Sequence, residues 1–237
     1  MCALRFEKPT LRRNFAEEEA ERKAQKRKLY ELRVKEAREL IRSAIQKWKQ
    51  EHVPSGEVFD RQRIGELVAF LSNEKAGWLG DIISEFENRE VYPERPAIKL
   101  FEGQDGEWPD VWLLAWRGAE HDADQTDIHD HEDSEAAFRV HQGTIREIIY
   151  GIGDQKIRND VKDLTYGMAE RELQEGSTAT IGAPYIHLVG GKEKQSLAVT
   201  IHAYYPPLDS MNLYTKTEDG RLRKSGHWEE DRTKTHC

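Results

Sequence analysis

Apolar residues recur at helical spacing through the first fifth of the chain. Between Asn14 and about His52 they form a single stripe made of Tyr30, Val34, Ala37, Ile41, Ile45 and Trp48. Asn14 with Glu17 three residues later resembles a capping box, and Val53-Pro54-Ser55-Gly56 ends the segment. Two shorter amphipathic helices are predicted next, one after Asp60 and one from Trp78 to Phe86. The N-terminal part is therefore predicted to be helical.

The pattern changes after Tyr92-Pro93-Glu94-Arg95-Pro96, where short apolar runs alternate with turn signals. The predicted strands are Ala97–Phe101, Val111–Arg117, Ala136–His141, Thr144–Tyr150, Tyr166–Leu173, Ala179–Ile181, Tyr185–Val189, Leu197–Tyr204 and Leu213–Lys216. Many short strands at this spacing favour a sandwich or a barrel. We predict three parts: a long basic helix over 1–55 as an appendage, a helical segment over 56–92 packed on the barrel, and the barrel over 93–237.

Composition narrows the class of protein. The chain has 237 residues, a net charge of −8 and a mean hydropathy of −0.83, and its longest apolar run, Val111–Trp116, is too short to span a membrane. No apolar signal core follows the N-terminal basic residues. Cys2 and Cys237 stand at the two ends, so a disulfide framework is excluded. We expect a soluble protein of the cytoplasm.

Charge is divided unevenly along the chain. Residues 1–52 hold 15 Lys/Arg and 9 Asp/Glu, a net of +6, and the remainder therefore carries −14. Nucleic acid binding is one interpretation of the basic segment, but a solvated helix face of mixed charge is the preferred one. The helix is also a candidate for self-association or for contact with a partner.

The histidines carry the chemistry. His129 and His131 alternate, so on one strand both imidazoles would face the same side, and His187 from a later strand would complete a three-nitrogen metal site. Alternation also places Thr200, His202 and Tyr204 on one face of a second strand. These groups favour redox or Lewis-acid chemistry over simple packing.

The segment from Ile128 through Ser134 to Gly143, followed by His187 and by His202-Ala203-Tyr204-Tyr205-Pro206-Pro207, resembles the cysteine dioxygenase-like thiol dioxygenases of the cupin superfamily. Trp116 and Gln142-Gly143 fit the same pattern. The resemblance covers roughly residues 60–215. It implies a mainly β fold, a cupin (double-stranded β-helix) barrel preceded by N-terminal α-helices. It also implies Fe²⁺ held by His129, His131 and His187, and a Thr200–His202–Tyr204 relay that directs the Tyr204 hydroxyl at substrate and O₂.

Two positions depart from the family pattern. Ala136 stands where most cupins have a carboxylate ligand, and also where animal cysteine dioxygenases have the Cys that is cross-linked to the active-site Tyr. The neighbouring Glu135 would face away on a regular strand, although a one-residue bulge would make it a ligand. Lys99 falls near the Arg that binds the substrate carboxylate in the family, and Lys lacks the planar fork of Arg. Lys99 is the predicted substrate-binding residue together with Tyr204, and Arg95, Arg139 and Arg146 are candidate replacements.

The predicted reaction is therefore the addition of O₂ to the sulfur of a small thiol, with L-cysteine a doubtful substrate and a mercapto-acid or heterocyclic thiol among the candidates. Two alternatives stay open at this point. One is a three-histidine cupin dioxygenase that cleaves a carbon substrate. The other is a metal-binding cupin that acts mainly through partner interaction.

Overall fold

Three helices precede the strands in a computed structural model. It describes residues 10–73, 78–86, 97–103, 107–116, 125–152, 169–183, 185–192, 196–218 and 220–231. Helix α1 spans Thr10–His52, α2 spans Arg61–Asn73 and α3 spans Trp78–Phe86. Among the described helices, none is both long and apolar enough to cross a membrane.

Helix α1 begins earlier than its sequence suggested. Asn14 lies inside the helix rather than at its start, so the predicted capping box is wrong. Thr10 to Arg13 are compatible with helical backbone and extend the helix by a turn. The predicted stripe is confirmed, because every residue from Tyr30 to Trp48 in that stripe is buried.

Helix α2 begins where the sequence predicted. The Asp60 carboxylate accepts a hydrogen bond from the backbone N–H of Arg63 at 2.8 Å, which satisfies one of the free donors of the first helical turn. Ile64, Leu67, Val68 and Leu71 form its buried face. These side chains share one apolar cluster with α1, α3 and the strands below them. The division at residues 55 and 92 stays a prediction.

The described strands form two antiparallel sheets. Their bounds are β1 Ala97–Phe101, β2 Asp110–Trp116, β3 Ile128–His129, β4 Glu135–Gln142, β5 Thr144–Ile152, β6 Ala169–Gln174, β7 Thr178–Ile181, β8 Tyr185–Gly191, β9 Ala198–Tyr205, β10 Ser210–Lys216 and β11 Leu222–Glu229. One sheet has the order β1-β2-β9-β4-β7 and the other β11-β10-β3-β8-β5-β6. The sequence placed both His129 and His131 on a strand, whereas β3 has two residues and ends at His129, and the mostly polar edge strand β11 was not predicted. The start of the predicted strand at Tyr166 lies outside the described residues.

Strand β9 divides the core between its two faces. Val199, Ile201 and Ala203 pack against the helices. Thr200, His202 and Tyr204 alternate with them and therefore face the other sheet, where Tyr204 packs with Phe138 and Val189. The helices cover one face of the five-stranded sheet and the six-stranded sheet covers the other. The expectation of a mainly β cupin fold preceded by helices is confirmed.

Candidate metal centre

Three buried histidines meet between the sheets. His129 ends β3 and is paired directly with His187 on β8, and His131 lies two residues further along the chain. One ring nitrogen from each lies within 4.8 Å of the others, and the Nε2 atoms of His131 and His187 are 3.4 Å apart. The predicted grouping of the three imidazoles is therefore present in the structure.

Strand alternation was predicted to point His129 and His131 to the same side, and it accounts for His129 only. Strand β3 ends at His129, so His131 is presented by the turn that follows and not by strand alternation. In this turn the Ser134 N–H donates to the His131 carbonyl at 2.9 Å, and Glu132 takes a left-handed φ of 50°. The turn replaces the regular strand because the chain crosses here from one sheet to the other.

Asp130, between the two histidines, holds this turn in place. Its fully buried carboxylate accepts hydrogen bonds from the Tyr214 hydroxyl at 2.6 Å, from Asn212 Nδ2 at 3.1 Å and from the Glu132 N–H at 3.0 Å. Several donors offset the cost of burying the carboxylate. Sequence analysis gave Asp130 no separate role. The sequence signal that could have identified Asp130 was an acidic residue between two candidate metal-binding histidines.

The second nitrogens of two of the imidazoles have acceptors. His129 Nδ1 lies 2.8 Å from the carbonyl of Asp127, and His187 Nδ1 lies 2.9 Å from Glu147 Oε1. Both Nδ1 atoms therefore donate, so the Nε2 atoms carry the lone pairs that would bind a metal. Sequence analysis missed Glu147, which is fully buried on β5, and Arg171 on β6, whose Nε donates to Glu147 Oε2 at 2.5 Å.

Electrostatics keeps two of the imidazoles neutral. Burial holds the pKa of His131 well below its usual range, and repulsion from His187, His129 and His202 lowers it further. Burial also holds the pKa of His187 well below its usual range, with repulsion from His129 and Arg171 adding to it. Neutral imidazole is the form that binds a metal, so the donor set fits a divalent iron, zinc, copper or nickel ion.

Thr200, His202 and Tyr204 form a hydrogen-bonded chain that begins at Trp116. The indole N–H of Trp116 donates to Thr200 Oγ1 at 2.8 Å, and Thr200 Oγ1 lies 2.8 Å from His202 Nε2. His202 Nδ1 lies 3.3 Å from the Tyr204 hydroxyl. The Tyr204 ring contacts that of His131 edge-on, with centroids 5.1 Å apart. The predicted relay residues are thus next to the histidine cluster.

A cavity of about 320 Å³ opens onto this arrangement. His129 and Tyr204 lie in its wall, so a molecule in the cavity contacts both the metal centre and the end of the hydrogen-bonded chain. Its size is at the lower end of the range for small-molecule sites. Other lining residues come from both sheets and are largely apolar.

Glu135 and Ala136 face opposite sides of β4, as neighbouring residues do on a regular strand. Ala136 is directly opposite Tyr204 in the β4–β9 register. The side chain of Glu135 lies 4.0 Å from the guanidinium of Arg61 on α2 and is not one of the three clustered ligands. The bulge that would have turned Glu135 toward the metal is absent from this stretch of β4, whose register is regular from Glu135 to Val140.

The structure places Lys99 in an ion-paired group. Its ammonium lies 2.6 Å from Glu230 and 3.5 Å from Asp110, and Lys99 is not one of the described residues that line the cavity. The two described arginines suggested as replacements also have acceptors elsewhere. Arg139 donates to Thr178 and Arg146 donates to Glu170, while Arg95 lies outside the described residues.

Comparison with known proteins agrees with the family resemblance seen in the sequence. The sequence profile of the family described as cysteine dioxygenase type I matches residues 90–217, more than half of the chain. Cysteine dioxygenase type 1 of Rattus norvegicus is 30% identical over 105 residues, which cover 44% of this chain and 48% of the rat protein. The Homo sapiens protein of the same name gives the same identity and coverage. The chain thus spans about half the length of the curated relatives it matches.

Solved structures give weaker likenesses. An oxalate oxidase in complex with the substrate analogue glycolate is 12% identical with a TM-score of 0.37, covering 50% of this chain and 54% of that one. A cupin 2 conserved barrel domain protein from Salinispora arenicola is 10% identical with a TM-score of 0.34, covering 47% and 75%. The classification therefore depends on the sequence match over residues 90–217, which includes the three clustered histidines and the Thr200–Tyr204 face. By that match, this chain belongs to the cysteine dioxygenase type I family.

Proposed function

We propose that this protein is an iron-dependent thiol dioxygenase that adds both atoms of O₂ to the sulfur of a small thiol. The reaction R–SH + O₂ → R–SO₂H is balanced without a further reductant, because the sulfur supplies the electrons. The observation that carries the proposal is the meeting of three buried imidazoles at the edge of a cavity whose wall includes His129 and Tyr204.

His129, His131 and His187 would hold the metal through their Nε2 atoms. Bound Fe²⁺ would supply a Lewis-acidic, redox-active centre at which the thiolate and O₂ are brought together. Three neutral ligands leave the full positive charge of the ion in place, which favours the thiolate form of the substrate. Family membership supports iron over the other divalent ions that suit imidazole.

The hydrogen-bonded chain would orient the Tyr204 hydroxyl. Trp116 can only donate, so Thr200 Oγ1 accepts from it and passes its own hydrogen to His202 Nε2, the nearby acceptor. His202 then carries its proton on Nδ1 and donates it toward the Tyr204 oxygen. In this arrangement the Tyr204 O–H would donate into the cavity, where it would stabilise negative charge that develops on the reacting oxygen or sulfur.

The apolar wall around the cavity would keep water from the reacting atoms. We also propose the reducing cytoplasm as the compartment, since ferrous iron and a free thiol both persist there. Self-association or partner contact through α1 stays a prediction.

Metal content and oxygen uptake test the proposal together. We expect about one iron per chain in protein prepared with Fe²⁺, and loss of most of it in His129→Ala, His131→Ala and His187→Ala. His141→Ala is the matched control, because His141 contacts Ser72 outside the cluster. Thiol-dependent oxygen uptake should disappear with the iron. Full iron retention in all three ligand variants would contradict the assignment.

A further inference from the structure

The wall of the cavity indicates which class of thiol it accepts. Its described lining combines two indole rings with aliphatic and thioether side chains, and these residues are Ala97, Trp112, Leu114, Thr126, Asp127, His129, Tyr204, Leu208, Met211, Leu213 and Trp228. None of these described lining residues is a lysine or an arginine. Asp127 carries the only side chain in this set that is normally charged at neutral pH. The charge presented to a ligand by the described wall is therefore negative.

Lys99, the nearest candidate for an anion-binding residue, is held in a different contact. Its side chain is 5% exposed, and its ammonium is shared by Glu230 at 2.6 Å and Asp110 at 3.5 Å. Asp110 is itself fully buried, and it also accepts a hydrogen bond from the Gly103 N–H at 2.7 Å. Turning Lys99 toward a ligand would leave buried carboxylate charge without its cation, which is strongly unfavourable.

Lys99 lies on the same face of the sheet as the cavity-lining Trp112, but its charge is already engaged by carboxylates. Lys99 Nζ lies 4.8 Å from the Trp112 ring, and the two residues are directly paired across β1 and β2. The positive charge therefore interacts with the indole and with carboxylates. A ligand in the cavity meets the indole rings of Trp112 and Trp228 instead, and aromatic faces attract apolar groups and organic cations.

We infer, on the basis of the proposed thiol dioxygenase function, that the substrate is a small thiol with an apolar or aromatic body that carries no negative charge. A carboxylate placed in this cavity away from the metal would lose its hydration, and no described lining side chain would supply a cationic partner. A neutral ring gains contact with the indoles and with Met211 and Leu213. A cationic group gains, in addition, the field of Asp127.

A matched set of thiols tests this assignment. Cysteamine, 2-mercaptoethanol and 3-mercaptopropionate differ mainly in the charge of the end group, and benzyl mercaptan adds a neutral ring. Binding is measured to the iron-loaded protein under anaerobic conditions by the change in tryptophan fluorescence, which does not require turnover. We expect cysteamine and benzyl mercaptan to bind at least tenfold more tightly than 3-mercaptopropionate. Equal or tighter binding of 3-mercaptopropionate would overturn the inference.

Oxygen uptake with the same thiols separates this inference from the function on which it rests. The expected order of kcat/KM follows the order of binding. If the binding order holds and no thiol supports oxygen uptake, the cavity assignment stands and the proposed function is wrong. If oxygen uptake is fastest with 3-mercaptopropionate or L-cysteine by tenfold or more, the proposed function stands and the cavity assignment is wrong.

A charge introduced at the edge of the cavity gives a second test. Ala97 is exposed, lines the cavity and starts β1, so Ala97→Arg adds the missing cation without displacing a buried side chain. Ala97→Gln is the neutral control. We expect Ala97→Arg to tighten binding of 3-mercaptopropionate at least tenfold and to leave 2-mercaptoethanol unchanged, with little change in Ala97→Gln. The same affinity for 3-mercaptopropionate in both variants and the parent protein would count against the inference.

Discussion

Glu147 Oε1 accepts a hydrogen bond from Nδ1 of His187 at 2.9 Å, although the two residues are 40 positions apart. The carboxylate is fully buried, and Arg171 binds its other oxygen. His129 has a neutral backbone carbonyl in the equivalent place. His187 is therefore the candidate ligand whose ring is oriented by a buried carboxylate.

Replacement of the Glu147 carboxylate by a neutral group should weaken metal binding without removing a metal ligand. We expect Glu147→Gln to reduce iron affinity by about 10- to 100-fold, the usual effect of losing a partner of a metal-bound histidine. Glu170→Gln is the control, since Glu170 lies on the neighbouring β6 and pairs with Arg146 on the surface. Affinity is measured by competition with a chelator. An unchanged affinity in Glu147→Gln would show that the Glu147 contact does not tune the site.

Tyr204→Phe should keep the metal and slow the reaction. The hydroxyl at the end of the Thr200–His202 chain is expected to donate a hydrogen bond rather than to bind iron, and such contributions are typically of order 10²–10⁴-fold. Tyr205→Phe is the control, because the next ring along β9 packs on Phe59 on the helix side. Iron content and thiol-dependent oxygen uptake are measured for both. Full activity in Tyr204→Phe would leave Tyr204 with a packing role only.

The lowered pKa of His131 and His187 gives the metal-free fold a defined pH dependence. As the pH falls through the unfolded value near 6.5, the unfolded chain binds protons that the folded chain does not, so the free energy of unfolding decreases. Each histidine contributes up to about 1.4 kcal/mol per pH unit below that point. The raised pKa of Glu147 acts in the opposite direction at lower pH, when its carboxyl is protonated.

Urea unfolding of the metal-free protein at pH 7 and at pH 5.5 measures this dependence. We expect lower stability at pH 5.5, and a smaller decrease in His131→Gln, which has lost one of the two titrating groups. The same stability at both pH values would mean that the two imidazoles are not held in the neutral form by the fold.

Helix α1 should be part of the stable core and not a detachable appendage. Ile41 is fully buried in the apolar cluster, whereas the adjacent Leu40 is 46% exposed. We expect Ile41→Ala to lower the free energy of unfolding by about 2–5 kcal/mol, and Leu40→Ala to change it by about 0.5 kcal/mol or less. Denaturant unfolding checks both. Similar values for the two variants would mean that α1 packs only weakly on the sheet.

Local patterns predicted much of this molecule because they depend on neighbouring residues. Helical spacing indicated the buried stripe that ends at Trp48, and alternation on β9 indicated that Thr200, His202 and Tyr204 share a face. Both were confirmed. Residue type and spacing selected the candidate ligands His129 and His187, and the family resemblance supported grouping them at one site.

Contacts between distant strands could not be predicted in the same way. Glu147 reaches His187 only because β5 pairs with β8, and Lys99 meets Glu230 across 131 positions. The position of Lys99 on a strand was predicted, but its ion-paired surroundings were not. His131 shows the same limit at short range, since two residues of strand followed by a turn look like continuous alternation in a sequence.

The fate of molecular oxygen tests the central claim most directly. Iron-loaded protein is mixed with cysteamine under ¹⁸O₂, and the sulfur product is analysed by mass spectrometry, with His187→Ala as the control. A thiol dioxygenase built on His129, His131 and His187 predicts a sulfinate that carries two ¹⁸O atoms, and none with the control. A product with oxygen from water, disulfide as the sole product, or the same yield from His187→Ala would contradict the account.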